Sequence, residues 1–95
     1  MIFGKVCGSV VATQRADGMS GARYLLVEAC SYRGEGKQSY HVALDLMGAG
    51  PGELVLLSQG SSCRQTESTK DKPVDAMIIG IIDEIEAGGE SAFKK

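Results

Sequence analysis

The sequence predicts an all-β protein: a small five-stranded OB-like β-barrel with one short helical insert. Three observations carry this. Glycine is abundant, at 13 of 95 residues, and it recurs within runs rich in Val, Ile and Leu. Those runs are short, and several alternate between apolar and polar residues as half-buried strands do. Clusters of Gly, Ser, Asp and Pro separate them, as turns require.

Residues 2–13 form the first expected strand. Ile2, Gly4, Val6, Gly8, Val10 and Ala12 fall on its inner face, and Phe3, Lys5, Cys7, Ser9 and Thr13 on the other. Two glycines on the inner face let a strand coil tightly, as a small barrel needs. A loop is expected over 17–21. The second strand, 23–30, turns Leu25, Val27 and Ala29 inward and Tyr24, Leu26 and Glu28 outward. Residues 31–39 are polar and Gly-rich, a hairpin-like connection. The third strand, 40–46, sets Tyr40, Val42, Leu44 and Leu46 against His41, Ala43 and Asp45, and hydrophobicity assigns the first set to the core. A fourth strand covers 53–58. Ser62 to Gln65 has capping-box spacing, so a short helix is expected there. Residues 70–73 read as an exposed loop. Residues 76–85 carry a partial helical stripe, but their five isoleucines are stiff at χ1 and favour a strand. Gly88 and Gly89 form a turn, and 91–95 add a short final strand.

Ninety-five residues make one domain, 1–95. A chain of this size buries only about 60–65% of its unfolded surface, so its core is thin and self-association would help it. The net charge of −2 argues against a general nucleic-acid binder, which needs a basic face. Three cysteines without close spacing do not form a disulfide framework and fit a reducing cytosol. The first ten residues lack a signal-peptide pattern, and no apolar run is long enough to span a bilayer.

Possible chemistry is sparse. Gly48, Ala49, Gly50, Pro51 and Gly52 resemble a phosphate loop in composition only, because a strand rather than a helix follows them. Ser61 or Ser62 would need a base to act as a nucleophile, and nothing in the sequence pairs either with His41. Cys7, Cys30, Cys63 and His41 have no zinc-site spacing. Asp83, Glu84 and Glu86 read as solvated charges. Arg33 and Lys37 do not interleave with Tyr24, Tyr32 and Tyr40 as a base-stacking platform would. The residues alone therefore imply no enzyme, no catalytic residue, no metal and no cofactor. They imply a structural or binding role built on two Gly-rich turns.

Taken in order, certain segments resemble the small pentameric vertex proteins of bacterial microcompartments, the family shared by carboxysomes and ethanolamine-utilisation shells. They are Gly8-Ser9-Val10-Val11-Ala12-Thr13, Leu25-Leu26-Val27, Gly48-Ala49-Gly50-Pro51-Gly52-Glu53, Gly60-Ser61-Ser62-Cys63-Arg64, Pro73-Val74-Asp75-Ala76 and Gly80-Ile81-Ile82-Asp83. The resemblance covers nearly the whole chain. It implies an OB-like barrel that assembles into a homopentamer at the corners of a cytoplasmic shell, beside hexameric tiles. Membrane and nucleic acid are not implied as partners. It places Gly48, Ala49, Gly50, Pro51, Gly52 and Glu53 at the contact with the tiles. It places Gly60, Ser61, Ser62, Cys63 and Arg64 near the subunit interface or axial opening. The family has a small Ala where this chain has Cys63, so five thiols would approach one another if that position lies at the axis. The alternative is a stand-alone OB-type module for single-stranded nucleic acid.

Overall fold

A computed structural model describes residues 1–11, 23–60 and 76–95. The described residues form seven strands: β1 (Ile2–Val10), β2 (Tyr24–Cys30), β3 (Gly36–Asp45), β4 (Leu54–Gln59), β5 (Ala76–Ile81), β6 (Glu84–Ala87) and β7 (Glu90–Lys94). The first five close into a barrel in the order β1-β2-β3-β5-β4, with β4 pairing back onto β1. Only β3 and β5 run parallel, through the two pairs Leu44↔Met77 and Asp45↔Ile78. This is the expected small OB-like barrel. The helix expected after Ser62 and the loops expected over 17–21 and 70–73 lie outside the described residues.

The core is small and aliphatic. Val6, Leu25, Val27, Ala43, Ala49, Val55, Leu57, Ala76 and Ile78 pack together, with Ile2 and Ile81 against them. The inner face of β2 is as the alternation predicts. On β1 the alternation holds to Val6, where a bulge against β2 skips Cys7 and leaves it exposed. Gly4 is a steric requirement. A Cβ there would collide with Val27 Cγ1 and lie 3.2 Å from Leu57 Cδ1, so the strand can approach its neighbours only without a side chain.

On β3 the expected faces are exchanged except at Leu44, which is buried as expected, at 4% exposure. Ala43 is fully buried inside the barrel and Asp45 is 5% exposed, whereas Tyr40, Val42 and Leu46 are 56%, 52% and 52% exposed. Hydrophobicity misassigns most of this strand because the small Ala43 is what the tight interior admits, and the buried Asp45 is satisfied by amides of the turn that follows and by Arg23. The fifth strand also ends earlier than the apolar run. β5 stops at Ile81, and Ile82 donates to Leu54 O at 2.8 Å before the chain leaves the barrel.

Residues 84–94 then make a separate two-stranded sheet. Here Glu84, Ile85, Glu86 and Ala87 alternate as a strand, and Gly88 and Gly89 turn the chain with φ of 64° and 83°. Glu84 faces Lys94 and Ile85 faces Phe93. A lone hairpin is marginal in water, so its attachments matter. The Phe93 ring lies over Gly34 in the β2–β3 turn, and Lys95 N donates to Asp83 O at 2.8 Å.

Candidate functional site

The segment between β3 and β4 is built by two carboxylates, one at each end. Asp45, the last residue of β3, has a side chain with no solvent exposure. Its Oδ1 accepts the backbone N–H groups of Met47, Gly48 and Ala49 at 3.0, 3.1 and 3.4 Å. Its Oδ2 lies 3.2 Å from Arg23 Nη1, an ion pair without a well-aligned hydrogen bond. Arg23 Nη2 also donates to Ala49 O at 3.3 Å. One buried charge thus folds the chain after β3 back on itself, and a half-exposed guanidinium offsets that charge.

The second carboxylate is Glu53. Its Oε1 accepts Gly50 N–H at 2.6 Å, and its Oε2 takes Lys95 Nζ at 2.7 Å. Between them, Glu53 N donates to Gly50 O at 3.2 Å around Pro51 and Gly52, where Gly52 has φ of 84°. That is a type II turn, with Pro fixing the first central φ and Gly supplying the positive second one. Gly48 is likewise at φ 78°. No atom lies within 4 Å of a Cβ built on Gly48 or Gly52, so both are glycines for their backbone conformation and not for lack of space. The Lys95 ammonium holds the Glu53 carboxyl below the usual carboxylate range, with the Gly50 amide adding to the effect. The Glu53 carboxylate in turn raises the Lys95 ammonium.

Gly52 N also donates to Val6 O and Val6 N to Glu53 O, at 2.9 and 3.0 Å, which ties the turn to β1. Every backbone N–H from Met47 to Glu53 is therefore used within the chain, and Pro51 has none. The turn is stiff, and the polar groups left to its exposed surface are acceptors. Among the described residues, nothing donates to the carbonyls of Met47, Gly48 or Pro51. The six predicted residues are together, but they do not share one role. Gly48, Pro51 and Gly52 are exposed, Gly50 and Glu53 are partly so, and Ala49 is buried in the barrel core. A large side chain at Ala49 would therefore disrupt the barrel rather than probe a surface.

Of the second predicted set, Gly60 is exposed at φ 66° just after β4, and Ser61, Ser62, Cys63 and Arg64 lie outside the described residues. The remaining candidates are dispersed. His41 Nδ1 accepts from Gln59 Nε2 at 3.4 Å. Cys30 is buried at the end of β2, and burial raises its thiol above the ordinary range. The Arg33 guanidinium lies 5.3 Å from the centre of the Tyr32 ring on the β2–β3 turn. No group of three His, Cys, Asp or Glu among the described residues is placed to hold a metal ion. Sequence reasoning missed Asp45 and Arg23 as the frame of the turn. The available signal was an Asp two to four residues before Met47, Gly48 and Ala49, the spacing at which carboxylates cap local amides.

Residues 1–83 match the family model described as "Ethanolamine utilisation protein EutN/carboxysome". The chain belongs to this family. The matched residues include the whole barrel and the braced turn, and they end where the β6–β7 hairpin begins. The protein named "Carboxysome shell vertex protein CcmL" from Gloeobacter violaceus is 39% identical over 95 residues, covering 100% of this chain and 95% of its own length. The solved structure of Gloeobacter violaceus CcmL superimposes with a TM-score of 0.95, covering 100% of this chain and 98% of that one. The protein named "Bacterial microcompartment shell vertex protein EutN" from Salmonella typhimurium is 43% identical over 90 residues, 95% of this chain and 91% of that protein. The solved "GrpN pentameric microcompartment shell protein from Rhodospirillum rubrum" is 39% identical with a TM-score of 0.84, covering 92% of this chain and 99% of that one.

Proposed function

We propose that this chain is a structural shell protein whose homopentamers cap the vertices of a bacterial microcompartment in the cytoplasm, with no catalysis of its own. The carrying observation is similarity over nearly the whole length, in sequence and in fold, to relatives named shell vertex proteins, one of them described as pentameric. The geometry supports this reading. A barrel with a thin core gains from ring assembly, and a five-fold ring is a closed, heterologous interface.

In this reading the turn carrying Gly48, Gly50, Pro51, Gly52 and Glu53 meets the hexameric shell tiles, and Ala49 anchors it from within. A turn already stiffened by Asp45 and Glu53 loses little entropy on docking. Because its amides are used internally, the tile must supply the donors: N–H groups or cationic side chains directed at its carbonyls. The same reading assigns Gly60, Ser61, Ser62, Cys63 and Arg64 to the subunit interface or the axial opening.

Pro51 is the position for a test, because its side chain is exposed and bulk there does not enter the core. Pro51→Trp is expected to leave the pentamer intact by native mass spectrometry while excluding it from shells formed with a co-expressed hexameric shell protein. Entry at the wild-type level would remove this turn from the tile contact.

A further inference from the structure

Lys95 is distant from the braced turn in sequence but not in space. It directly follows β7, and the stem of the β6–β7 hairpin is bound to the barrel beside Glu53. Ile82 N donates to Leu54 O and Lys95 N to Asp83 O, both at 2.8 Å. From that stem the Lys95 ammonium reaches Glu53 Oε2 at 2.7 Å and Asp83 Oδ1 at 4.0 Å. The Asp83 side chain is 86% exposed and the Glu53 side chain 23%, so the contact with Glu53 is both the shorter and the drier one.

The other oxygen of the Glu53 carboxylate is seated on the turn. Oε1 accepts Gly50 N–H at 2.6 Å, and a Cβ at position 50 would stand 3.3 Å from that oxygen. The carboxylate thus lies close over a residue without a side chain. A carboxylate held at one oxygen can rotate about its last bond and exchange that partner for water or another cation. Held at both oxygens by charge-assisted hydrogen bonds, it stays where it is.

We infer that Lys95 is a positioning residue for the shell-facing turn: by occupying Glu53 Oε2 it keeps Oε1 on the Gly50 amide, so that the turn meets its partner in one shape. The inference rests on the proposed tile contact. It adds a residue outside the turn and beyond the 1–83 span that the family model matches. It also narrows the partner's chemistry. Donors on the tile meet the turn's carbonyls, and a tile cation gains little from Glu53, because Lys95 already holds that charge.

Two readouts test this. The first is NMR of the ring without tiles. An amide proton bonded to a carboxylate changes its shift as that carboxylate titrates. The Gly50 amide proton should follow Glu53 in wild type and Lys95→Arg, with an amplitude at least about twofold smaller in Lys95→Ala, a size that an exposed charge pair supports. The second readout is entry into shells formed with a co-expressed hexameric shell protein. Native mass spectrometry confirms the ring and circular dichroism the barrel. Entry is compared in a double-mutant cycle of Lys95→Ala and Glu53→Gln. The Glu53→Gln side chain keeps an oxygen for the Gly50 amide and has no charge to hold, so Lys95 has nothing to act on.

Lys95→Ala should lower entry at least about twofold when Glu53 is present and leave it unchanged beside Glu53→Gln, while Lys95→Arg retains it. Equal losses in both backgrounds, an unchanged Gly50 titration in Lys95→Ala, or a Lys95→Ala chain that no longer forms the ring would each overturn the inference. Lys95→Ala rings that enter like wild type while Pro51→Trp rings are excluded overturn this inference alone. Pro51→Trp rings that enter at the wild-type level overturn the tile contact, and this inference with it.

Discussion

Replacing Asp45 by Ala is expected to cost more stability than truncating any other side chain of the turn. Its Oδ1 accepts three amides at 3.0, 3.1 and 3.4 Å. One oxygen has two lone pairs, so the three contacts count as about two hydrogen bonds to a charged acceptor, each worth roughly 1.5–3 kcal/mol. Two corrections oppose each other. Removing a fully buried carboxylate relieves its desolvation, and the amides of the exposed Met47 and Gly48 can turn to water. The Ala49 amide sits in the core and cannot. Arg23 is left half-exposed, where losing an ion pair costs little. The net loss is roughly 2–4 kcal/mol. For a domain this size each kcal/mol lowers Tm by about 4–8 °C, so Tm should fall by roughly 8–32 °C. The assay is thermal unfolding by circular dichroism at one fixed protein concentration, because assembly makes Tm concentration-dependent. Asp45→Asn retains an oxygen acceptor but not the charge and should lose roughly half as much. A Tm for Asp45→Ala within about 3 °C of wild type would refute the view that this carboxylate builds the turn.

Other expectations follow from the same geometry. Gly4→Ala should destabilise by about 1–3 kcal/mol through overpacking against Val27 and Leu57, read as a lower denaturant midpoint with an unchanged slope. The Glu53–Lys95 pair sets a pH window. The depressed Glu53 carboxyl contributes stability that is present above the ordinary glutamate value of about 4.3 and is lost as pH falls through its lower folded value. The raised Lys95 ammonium contributes stability that is present below about 10.4 and is lost as pH rises through its higher folded value. Urea midpoints of wild type and Lys95→Ala should therefore differ between those limits and converge in acid; a difference that persists unchanged at pH 2 would contradict the pairing. Native protein should expose Cys7 to a thiol reagent quickly and Cys30 slowly, since Cys7 is exposed on a bulge and burial raises the Cys30 thiol. Equal rates at the two positions, resolved by peptide mapping, would contradict that placement.

Parts of this fold are legible in the sequence for definite reasons. In β2, Leu25, Val27 and Ala29 alternate with bulkier or polar residues whose outward side is partly solvated, so period two gives both the strand and its faces. Gly4 announces a close approach that Val27 and Leu57 make literal. In β3 the same rule finds the strand and the burial of Leu44, but it misplaces Tyr40, Val42, Ala43, Asp45 and Leu46. Hydrophobicity favours Tyr40, Val42 and Leu46, but the interior takes Ala43 for its size and Asp45 for the amides it caps. Period alone cannot choose between two faces when both carry apolar residues. The apolar run through Ile85 conceals a break because Ile82 still bonds to the barrel, while Ile85 pairs with Phe93 in a different sheet. In the turn, the glycines and Pro51 are legible as backbone constraints. The burial of Ala49 and the bracing by Arg23, Asp45 and Lys95 are not, because they depend on contacts distant in sequence or on a face that alternation misassigns.

Native mass spectrometry of the wild-type chain at micromolar concentration decides whether it forms a five-fold ring. A vertex protein should give a single dominant species of five chain masses that persists on moderate dilution. A monomer or dimer as the dominant species under those conditions would contradict it.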